Sequence, residues 1–376
     1  MQSPGEDRWP VIVIGAGPAG LATSCELKRR GIAHCVLERG EAPGTVWAGL
    51  YDSLVLHTGR HMSHLPGLRL PRGVPLFPPR AAFLDYLRRY AKTFALPVRT
   101  GCDVRGLSHD DDGWRLATNA GEVTARAVVI ATGIVGNPVR PALDGLPDYG
   151  GQLLLARDYH RPADVAGGRV LVVGAGNSGG EIASELAAAG HAVDIAVRSG
   201  VNVVPLTLLG IPIQYFARVL LQLPRPLQRL LVAAVGRFTR WRRGPSPLPP
   251  APTGPLDAIP LIGFHLVDAI RAGRVAVRPA LVRLTASGAS FADGSDGAYD
   301  TILLATGYRP ALAPLAGLIT TDASGFAIRR GRVASADWPD LFFVGHNYDA
   351  SGGINNIARD ARLAAAALAR FLRAAG

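Results

Sequence analysis

Two glycine-rich turns carry the residue types and spacing in this chain that could do chemistry. Both have the spacing G-x-G-x-x-G, with glycines at Gly15, Gly17, Gly20, Gly174, Gly176 and Gly179. Between a strand and a helix, the first glycine permits a tight bend, the second lets backbone N–H groups approach a pyrophosphate, and the third lets the helix pack closely. The sequence therefore predicts two dinucleotide sites, each at a helix N-terminus.

The residues around each turn predict the elements that must position it. Apolar, β-branched runs at 11–14 and 170–173 precede the turns, and helical patterns follow them, the second over about 180–189. Further apolar runs at 33–37 and 192–197 predict the next strands. This order of strand, turn, helix and strand is typical of a Rossmann-like unit with a parallel sheet.

The residues after the second strand differ between the two copies. Glu38 and Arg39 follow it in the first copy, whereas Arg198 and Ser199 stand at what we interpret as the corresponding corner of the second. A carboxylate accepts hydrogen bonds from ribose hydroxyls and repels a 2′-phosphate, while a guanidinium and a hydroxyl suit one. The second nucleotide is thus predicted to be NADPH, and the first to lack a phosphate there.

A second feature is also duplicated. Residues 103–116 and 282–291 predict β-meanders, and the apolar strands at 127–130 and 301–304 each end in Ala-Thr-Gly, which includes Thr132, Gly133, Thr306 and Gly307. Duplication of a whole unit is stronger support than a single motif. We expect an α/β fold of two Rossmann-like dinucleotide-binding domains with β-meander insertions.

Composition excludes several other classes of protein. The 376 residues suit two domains, and 48% hydrophobic with 18% charged residues argues against a disordered or fibrous chain. The three cysteines, Cys25, Cys35 and Cys102, form no pattern for disulfides, a redox dithiol or zinc. The net charge of +11 comes mainly from scattered arginines, so no nucleic-acid partner is expected. Residues 1–10 show no secretory signal, and prolines and arginines interrupt the apolar stretch 203–235, so we expect a cytoplasmic protein.

The sequence resembles the flavin-containing monooxygenase family, in particular its YUCCA-type branch and the bacterial relatives of that branch. The likeness extends over nearly the whole chain and rests on the two glycine turns, Gly44, Trp47, residues 51–58, residues 254–256, residues 305–308, residues 343–345, Asn347, Gly352 and Gly353. It implies FAD on the first turn, NADPH on the second, and single-component monooxygenation through a flavin C4a-(hydro)peroxide. The oxygen acceptor would be nitrogen, sulfur or a carbonyl carbon of a small organic substrate, with O₂ as the second substrate.

The resemblance also implies domains and contacts. FAD would bind residues 1–145 and 310–376, and NADPH would bind residues 146–309, which include a helical and proline-rich insertion at 205–262. The implied FAD contacts are Gly15, Gly17, Pro18, Ala19, Gly20, Glu38, Arg39, Trp47, His57, Thr58, Val104, Thr132, Gly133, Gly345, Asn347, Gly353 and Ile354. The implied NADPH contacts are Gly174, Gly176, Asn177, Ser178, Gly179, Arg198, Ser199, Thr306 and Gly307. Because the flavin carries the chemistry, the candidate catalytic residues reduce to His57, Thr58 and Asn347, and no metal is needed. Asn355 and Asn356 are interpreted either as contacts to the flavin or as caps of the last helix.

One departure from the family pattern leaves the reaction open. A family tag that usually contains His and Ser has Leu155 and Ala156 here, and leucine cannot form a hydrogen bond. The alternative to monooxygenation is therefore an NADPH-dependent flavin oxidase or reductase that releases peroxide.

Three hypotheses place the chain in another functional class: a metal-binding protein, a serine hydrolase or a non-catalytic sensor. His57, His61 and His64 have the spacing of metal ligands on a helix, although Gly59 favours a loop. Residues 176–180 match G-x-S-x-G, the nucleophile elbow of a serine hydrolase, while Ser178 and Glu181 also match a capping box. A non-catalytic flavin-bound sensor is the third reading.

The insertion is assigned to substrate choice. Residues 208–241 are apolar and studded with arginine, and the prolines that follow predict an irregular loop. Residues 206–241 are candidates for lining the substrate entrance, for covering the NADPH domain, or for contact with a membrane surface or a partner. The sequence does not indicate an oligomeric state.

Overall fold

The computed structural model describes residues 7–374 and divides the chain into two compact units. Unit 1 consists of the chain up to Gly49, Leu54–Asn137 and the chain from Arg309 onward, and unit 2 consists of Leu50–Ser53 and Pro138–Tyr308. The second segment of unit 1 ends at Asn137, earlier than the predicted boundary between the two domains at residue 145. The sequence did not predict that Leu50–Ser53 belongs to the second unit.

The described residues form eight α-helices and twenty-one strands. The helices are α1 (Pro18–Lys28), α2 (Thr45–Ala48), α3 (Arg80–Thr93), α4 (Asn177–Ala188), α5 (Ile213–Leu220), α6 (Arg225–Arg243), α7 (His265–Arg271) and α8 (Gly353–Ala374). The strands are β1 (Arg8–Ile14), β2 (His34–Leu37), β3 (Val98–Arg99), β4 (Val104–Asp110), β5 (Gly113–Thr118), β6 (Gly121–Ile130), β7 (Gln152–Leu155), β8 (Arg169–Val173), β9 (Ala192–Ala196), β10 (Val203–Val204), β11 (Thr207–Leu208), β12 (Ile211–Pro212), β13 (Leu261–Ile262), β14 (Val275–Arg278), β15 (Leu281–Thr285), β16 (Gly288–Phe291), β17 (Asp296–Ala298), β18 (Thr301–Leu304), β19 (Arg329–Arg330), β20 (Ala334–Ser335) and β21 (Leu341–Phe343).

In unit 1, a central sheet has the order β19-β20-β21-β6-β1-β2-β3. The pairings of β1 with β2 and β6, and of β6 with β21, are parallel. Residues 11–14 are buried, as expected for a parallel strand covered on both faces. One face packs on α1, α3 and α8, where Ala361, Ala364 and Ala365 let α8 approach closely. The other face is covered around Trp114 and Leu116 of the predicted meander β4-β5-β6.

Unit 2 repeats this arrangement with a smaller sheet. Its five strands have the order β14-β9-β8-β18-β7, and every pairing among them is parallel. The second predicted meander is confirmed as the antiparallel sheet β15-β16-β17. Both units are thus α/β, as the alternation of apolar runs and helical patterns predicted.

The insertion in unit 2 contains α5 and α6, followed by an irregular proline-rich segment that reaches β13. Along α6, Gln228 is the one buried residue, so most of this helix faces solvent. Within residues 7–374, no helix is both long enough and apolar enough to cross a membrane.

Candidate dinucleotide sites

The backbone of the first turn itself requires two of its three glycines. Gly15 has a φ of +101°, and a Cβ there would lie 2.8 Å from the carbonyl oxygen of Ala131. A Cβ on Gly20 would lie 1.8 Å from the carbonyl oxygen of Gly15. These glycines let the strand, the turn and α1 come together.

Gly17 differs, because neither its backbone angles nor its described neighbours require a glycine. Its φ of −77° and ψ of −172° are extended values open to any residue, and a Cβ there would have no heavy atom within 4 Å. It is the N-cap of α1 and provides no side-chain hydrogen bond to the first turn of that helix. The N–H groups of the first helical turn have no hydrogen-bond partners within the helix. The missing side chain of Gly17 leaves space in which a ligand can accept hydrogen bonds from them.

The second turn reproduces each of these features. Gly174 has a φ of +106°, and its Cβ would lie 2.5 Å from the carbonyl oxygen of Ala305; a Cβ on Gly179 would lie 1.9 Å from the carbonyl oxygen of Gly174. Gly176, the N-cap of α4, has a φ of −76°, and a Cβ there would have no heavy atom within 4 Å. Both turns therefore leave the same position open, which points to a ligand of similar chemistry at each.

The acidic corner of the first copy is held rigidly. Glu38 is 6% exposed, and its two carboxylate oxygens accept hydrogen bonds from the backbone N–H groups of Ala16 (2.8 Å) and Gly40 (2.9 Å). The carboxylate is thereby fixed beside the glycine turn, with further lone pairs for ribose hydroxyls.

The strand register corrects the comparison of the two corners. Leu37 pairs with Ile14 in unit 1, and Ala196 pairs with Val173 in unit 2. Glu38 therefore corresponds to Val197, and Arg198 corresponds to Arg39, one residue beyond the predicted match. Val197 is buried, while Arg198 and Ser199 are exposed, so the second corner still lacks an acid and presents a cation nearby.

Several predicted FAD contacts come together around the first turn. The N–H of Gly44 donates to the carbonyl of Ala16 (3.0 Å), which places α2 and Trp47 beside the turn. The ring of Trp47 packs edge-on against Phe83, with centroids 4.6 Å apart. A Cβ on Gly345 would lie 2.9 Å from that of Ala19.

Other predicted contacts lie at the start of α8. A Cβ on Gly352 would lie 2.7 Å from Oγ1 of Thr58, so this buried threonine adjoins the segment that leads to Gly353 and Ile354. His57 is half-buried in the same loop.

Asn347 is already committed to protein contacts. Its Nδ2 donates to Oδ2 of Asp360 (2.7 Å) and to the carbonyl of Arg332 (3.1 Å), and its Oδ1 accepts from Arg329 (3.1 Å). Asn356 joins this network by accepting a hydrogen bond from Arg332 (3.1 Å). These contacts hold both amides in one network with Arg332 and Asp360 at the start of α8.

The remaining predicted contacts have structural partners. Val104 lies in the buried cluster around Trp114, and Gly133 and Gly307 have positive φ values of 67° and 93°. The hydroxyl of Thr132 donates to the carbonyl of Ala311 (2.9 Å). Likewise, the hydroxyl of Thr306 donates to the carbonyl of Val139 (2.7 Å).

A cluster beside the second turn was not recognised from the sequence. The Tyr51 hydroxyl donates to the Glu181 carboxylate, and Ser178 lies in hydrogen-bonding reach of Tyr51 and Tyr308. Burial first, and then the negative charge of Glu181, raise the pKa of Tyr51 well above its usual value, so its phenol stays protonated as a donor. Tyr51 and Tyr308 lie in segments on which the family resemblance rests. No pattern in the sequence predicted that they contact Ser178 and Glu181 of α4.

The rest of this cluster belongs to the unusual family tag. Tyr159 is fully buried, donates to Glu185 (2.8 Å), and lies with its ring centroid 6.4 Å from that of Tyr51. Leu155 is 6% exposed and packs in the core of unit 2, and Ala156 is also buried. Tyr159, three residues beyond Ala156, is thus built into the fold, while the two altered positions of the tag offer only apolar side chains.

The structure also bears on the competing readings. His57, His61 and His64 lie in a loop, and the described residues contain no group of three or more His, Cys, Asp or Glu side chains placed to hold a metal ion. The predicted capping box at Ser178 is wrong, because Gly176 is the N-cap of α4 and Glu181 accepts from Tyr51 instead. Ser178 forms part of the glycine turn and lies within hydrogen-bonding reach of the phenols of Tyr51 and Tyr308.

Comparisons with known proteins agree with this geometry. The family model described as pyridine nucleotide-disulphide oxidoreductase matches residues 12–204. Indole-3-pyruvate monooxygenase YUCCA1 of Oryza sativa subsp. japonica is 33% identical over 309 residues, which cover 79% of this chain and 76% of that protein. The probable indole-3-pyruvate monooxygenase YUCCA1 of Arabidopsis thaliana is 32% identical over 310 residues, covering 79% and 75%.

A solved structure extends the similarity to nearly the full length. The flavin-containing monooxygenase from Stenotrophomonas maltophilia superposes with a TM-score of 0.77 at 27% identity, covering 97% of this chain and 99% of that chain. The chain belongs to the pyridine nucleotide-disulphide oxidoreductase family and, within it, to the flavin-dependent monooxygenases, oxidoreductases for which FAD and NADPH are typical cofactors.

Proposed function

We propose that this chain is a single-component monooxygenase that binds FAD at the turn of unit 1 and NADPH at the turn of unit 2. Its substrates would be O₂ and a small organic molecule. The observation that carries the proposal is the pair of open positions at Gly17 and Gly176. Each stands at the N-terminus of a helix after a parallel strand, where backbone N–H groups and the helix dipole favour a pyrophosphate.

The residues that follow β2 and β9 decide which cofactor is assigned to which turn. In unit 1, the fixed carboxylate of Glu38 suits the free ribose hydroxyls of FAD and opposes a 2′-phosphate. In unit 2, Val197 brings no negative charge, and the exposed Arg198 and Ser199 supply donors for that phosphate.

The chain's own residues would bind and orient, while the cofactors supply the electron transfer and the activation of O₂. In unit 1, the first turn of α1 would hold the pyrophosphate and Glu38 a ribose. Trp47 and Thr58 would line the flavin, and the N-terminus of α8 would favour negative charge near it. Asn347 acts indirectly, since its bonds to Asp360 and Arg332 fix the backbone before that helix.

For the substrate, we propose an α-keto acid that carries an aromatic group. The proposal rests on the two relatives named as indole-3-pyruvate monooxygenases, each aligned over 79% of this chain. Oxygen insertion next to the keto carbon, with loss of carbon dioxide, would yield the corresponding arylacetic acid.

Valine substitutions at the open glycines test the cofactor sites. Gly17→Val and Gly176→Val add a side chain where the protein leaves room and the backbone permits it, so both variants should fold. Gly17→Val should be purified without FAD. Gly176→Val should retain FAD but lose at least ten-fold in NADPH affinity, as measured by flavin reduction under anaerobic conditions.

Two exposed glycines with equally open surroundings serve as controls. Gly73→Val in unit 1 and Gly168→Val in unit 2 should keep normal FAD content and normal NADPH affinity. Full FAD occupancy in Gly17→Val, or unchanged reduction by NADPH in Gly176→Val, would contradict the proposed sites.

The oxidase alternative is retained because of Leu155. Its side chain packs in the core and offers no hydrogen bond at a position where the family usually has a histidine. Comparing peroxide released with NADPH consumed, in the presence of indole-3-pyruvate, separates the two functions. A monooxygenase yields the arylacetic acid in proportion to NADPH, whereas an oxidase yields peroxide and no organic product.

A further inference from the structure

The outer face of α6 is an apolar stripe exposed to solvent. It consists of Leu227 (40% exposed), Leu230 (65%), Leu231 (41%), Phe238 (42%) and Trp241 (76%). With 3.6 residues per turn, these positions and Ala234 between them fall along one side of the helix over about 21 Å. Soluble surfaces rarely expose so many large apolar side chains in one line, and such patches mark interaction sites.

The opposite face of α6 and its two ends are tied to unit 2. Gln228 is buried and donates to the carbonyl of Leu223 (2.8 Å) at the start of the helix. At the other end, Arg243 donates to both carboxylate oxygens of Asp268 (2.5 and 2.7 Å) and lies over the ring of Phe264. The C-terminal end of α6 is thus fixed to α7, and the stripe faces away from the side of the helix that contains the buried Gln228.

The segment of the chain that carries the stripe has charged residues of one sign only. Residues 195–256 contain no acidic residue, no lysine and eight arginines, which are Arg198, Arg218, Arg225, Arg229, Arg237, Arg240, Arg242 and Arg243. Arg237 and Arg242 follow the two edges of the stripe by helical spacing, and Arg242 lies over the ring of Phe238, 5.9 Å from its centroid. Arginines at the edges of an apolar stripe can reach past it to a negatively charged plane.

The preceding segment continues the same character. Leu209 (86% exposed), Ile211 (45%), Phe216 (39%) and Val219 (62%) also present apolar side chains to solvent, the last two one turn apart on α5. Arg218 stands between them in the sequence. The exposed apolar and cationic residues thus extend over two consecutive helices.

We propose that α6 lies flat on an anionic lipid surface, with its apolar stripe in the interfacial layer and its arginines at the lipid phosphates. A helix with large apolar residues including tryptophan on one face, and cations beside it, is typical of interfacial binding. Anionic lipids attract such cations, and the attraction weakens with salt. A second copy of this chain suits the face poorly, because a two-fold contact between stripes would bring arginine edges together, and α6 itself has no acid to neutralise them.

Flotation of the FAD-loaded full-length protein with lipid vesicles tests the proposal. The protein should float with vesicles that contain phosphatidylglycerol, and much less with phosphatidylcholine alone or at high salt. Leu230→Glu, which places a negative charge in the middle of the stripe, should weaken binding to the anionic vesicles at least ten-fold. Arg237→Glu should weaken it and reduce its dependence on salt.

Leu363→Glu is the matched control, since Leu363 is an exposed helical leucine (41%) in unit 1. It should bind vesicles like the original protein, and all variants should keep their FAD. The proposal is overturned if the original protein does not float with anionic vesicles, or if Leu363→Glu is as harmful as Leu230→Glu. It is also overturned if light scattering shows a dimer that Leu230→Glu dissociates, because the stripe would then be covered by a second copy.

Discussion

Replacing His346 with phenylalanine should reduce the sensitivity of this protein to acid. The imidazole is 2% exposed, and neither ring nitrogen has a hydrogen-bond partner among residues 7–374. The rings of Phe343 and Phe326 lie 5.4 and 6.0 Å from it. Burial, and to a lesser extent the positive charge of Arg329, lowers the pKa of His346 to about 3.

The sign and size of the effect follow from linkage. In the unfolded chain, the pKa of a histidine is about 6.5, so between pH 6.5 and 3 the unfolded state binds the proton and the folded state does not. The free energy of unfolding must therefore fall as the pH drops through that window, and it is unaffected by His346 well above pH 6.5. At pH 5.5, about ten of eleven unfolded chains are protonated at this site, which corresponds to a loss of about 1.4 kcal/mol.

Urea unfolding of the FAD-saturated protein at pH 7.5 and pH 5.5 measures this loss. Other groups also titrate, so the informative quantity is the difference between the original protein and His346→Phe. The original should lose about 1.4 kcal/mol more than the variant on acidification. At pH 7.5 the variant should be at least as stable, because phenylalanine leaves no buried nitrogen unsatisfied. Equal losses in both proteins would refute the reasoning.

Three further substitutions test other parts of the structure. Arg198→Ala should raise the concentration of NADPH needed for flavin reduction about 10- to 100-fold and leave NADH unchanged, since a charge-assisted phosphate contact contributes about 1.5–3 kcal/mol; Arg274→Ala, at another exposed arginine of unit 2, is the control, and equal effects on both nucleotides would count against the phosphate contact. Tyr51→Phe should lower the free energy of unfolding by about 1–3 kcal/mol by removing the hydrogen bond that Tyr51 donates to the Glu181 carboxylate, which thermal unfolding measures; a melting temperature like that of the original protein would mean that the bond contributes nothing. Gly179→Ala should unfold at lower temperature even without nucleotide, because its methyl group would lie 1.9 Å from a carbonyl oxygen of its own turn; unchanged stability would show that the turn can widen.

The parts of the fold that the sequence predicted are those specified by neighbouring residues. Continuous apolar runs before each glycine turn form the buried parallel strands β1 and β8. Apolar and polar residues do not alternate in these runs, because both faces of such a strand are covered. The turns, the meanders and the irregular proline-rich segment likewise follow from residue types adjacent in the chain.

The parts that it missed depend on distant contacts. Tyr51 donates to Glu181, which lies 130 residues further along the chain, and no local sequence pattern predicts that hydrogen bond. The match of Glu38 with Arg198 was one residue out: the strand pairing gives both copies the same spacing, so that Glu38 corresponds to Val197 and Arg39 to Arg198. Asn347 looked available in the sequence, but Asp360 on the following helix occupies its amide.

The tetrapeptide Leu50–Ser53 limits how these proteins can exchange parts. A continuous fragment from Pro138 to Tyr308 contains the second sheet and its glycine turn, yet it lacks the phenol that donates to Glu181 and lies beside Tyr159. A transplant of that fragment into a relative should therefore be more stable when the recipient supplies a tyrosine at the matching position of its own N-terminal region. Recombination between family members should accordingly preserve the pairing of residue 51 with residue 181, although the two positions lie far apart in the gene.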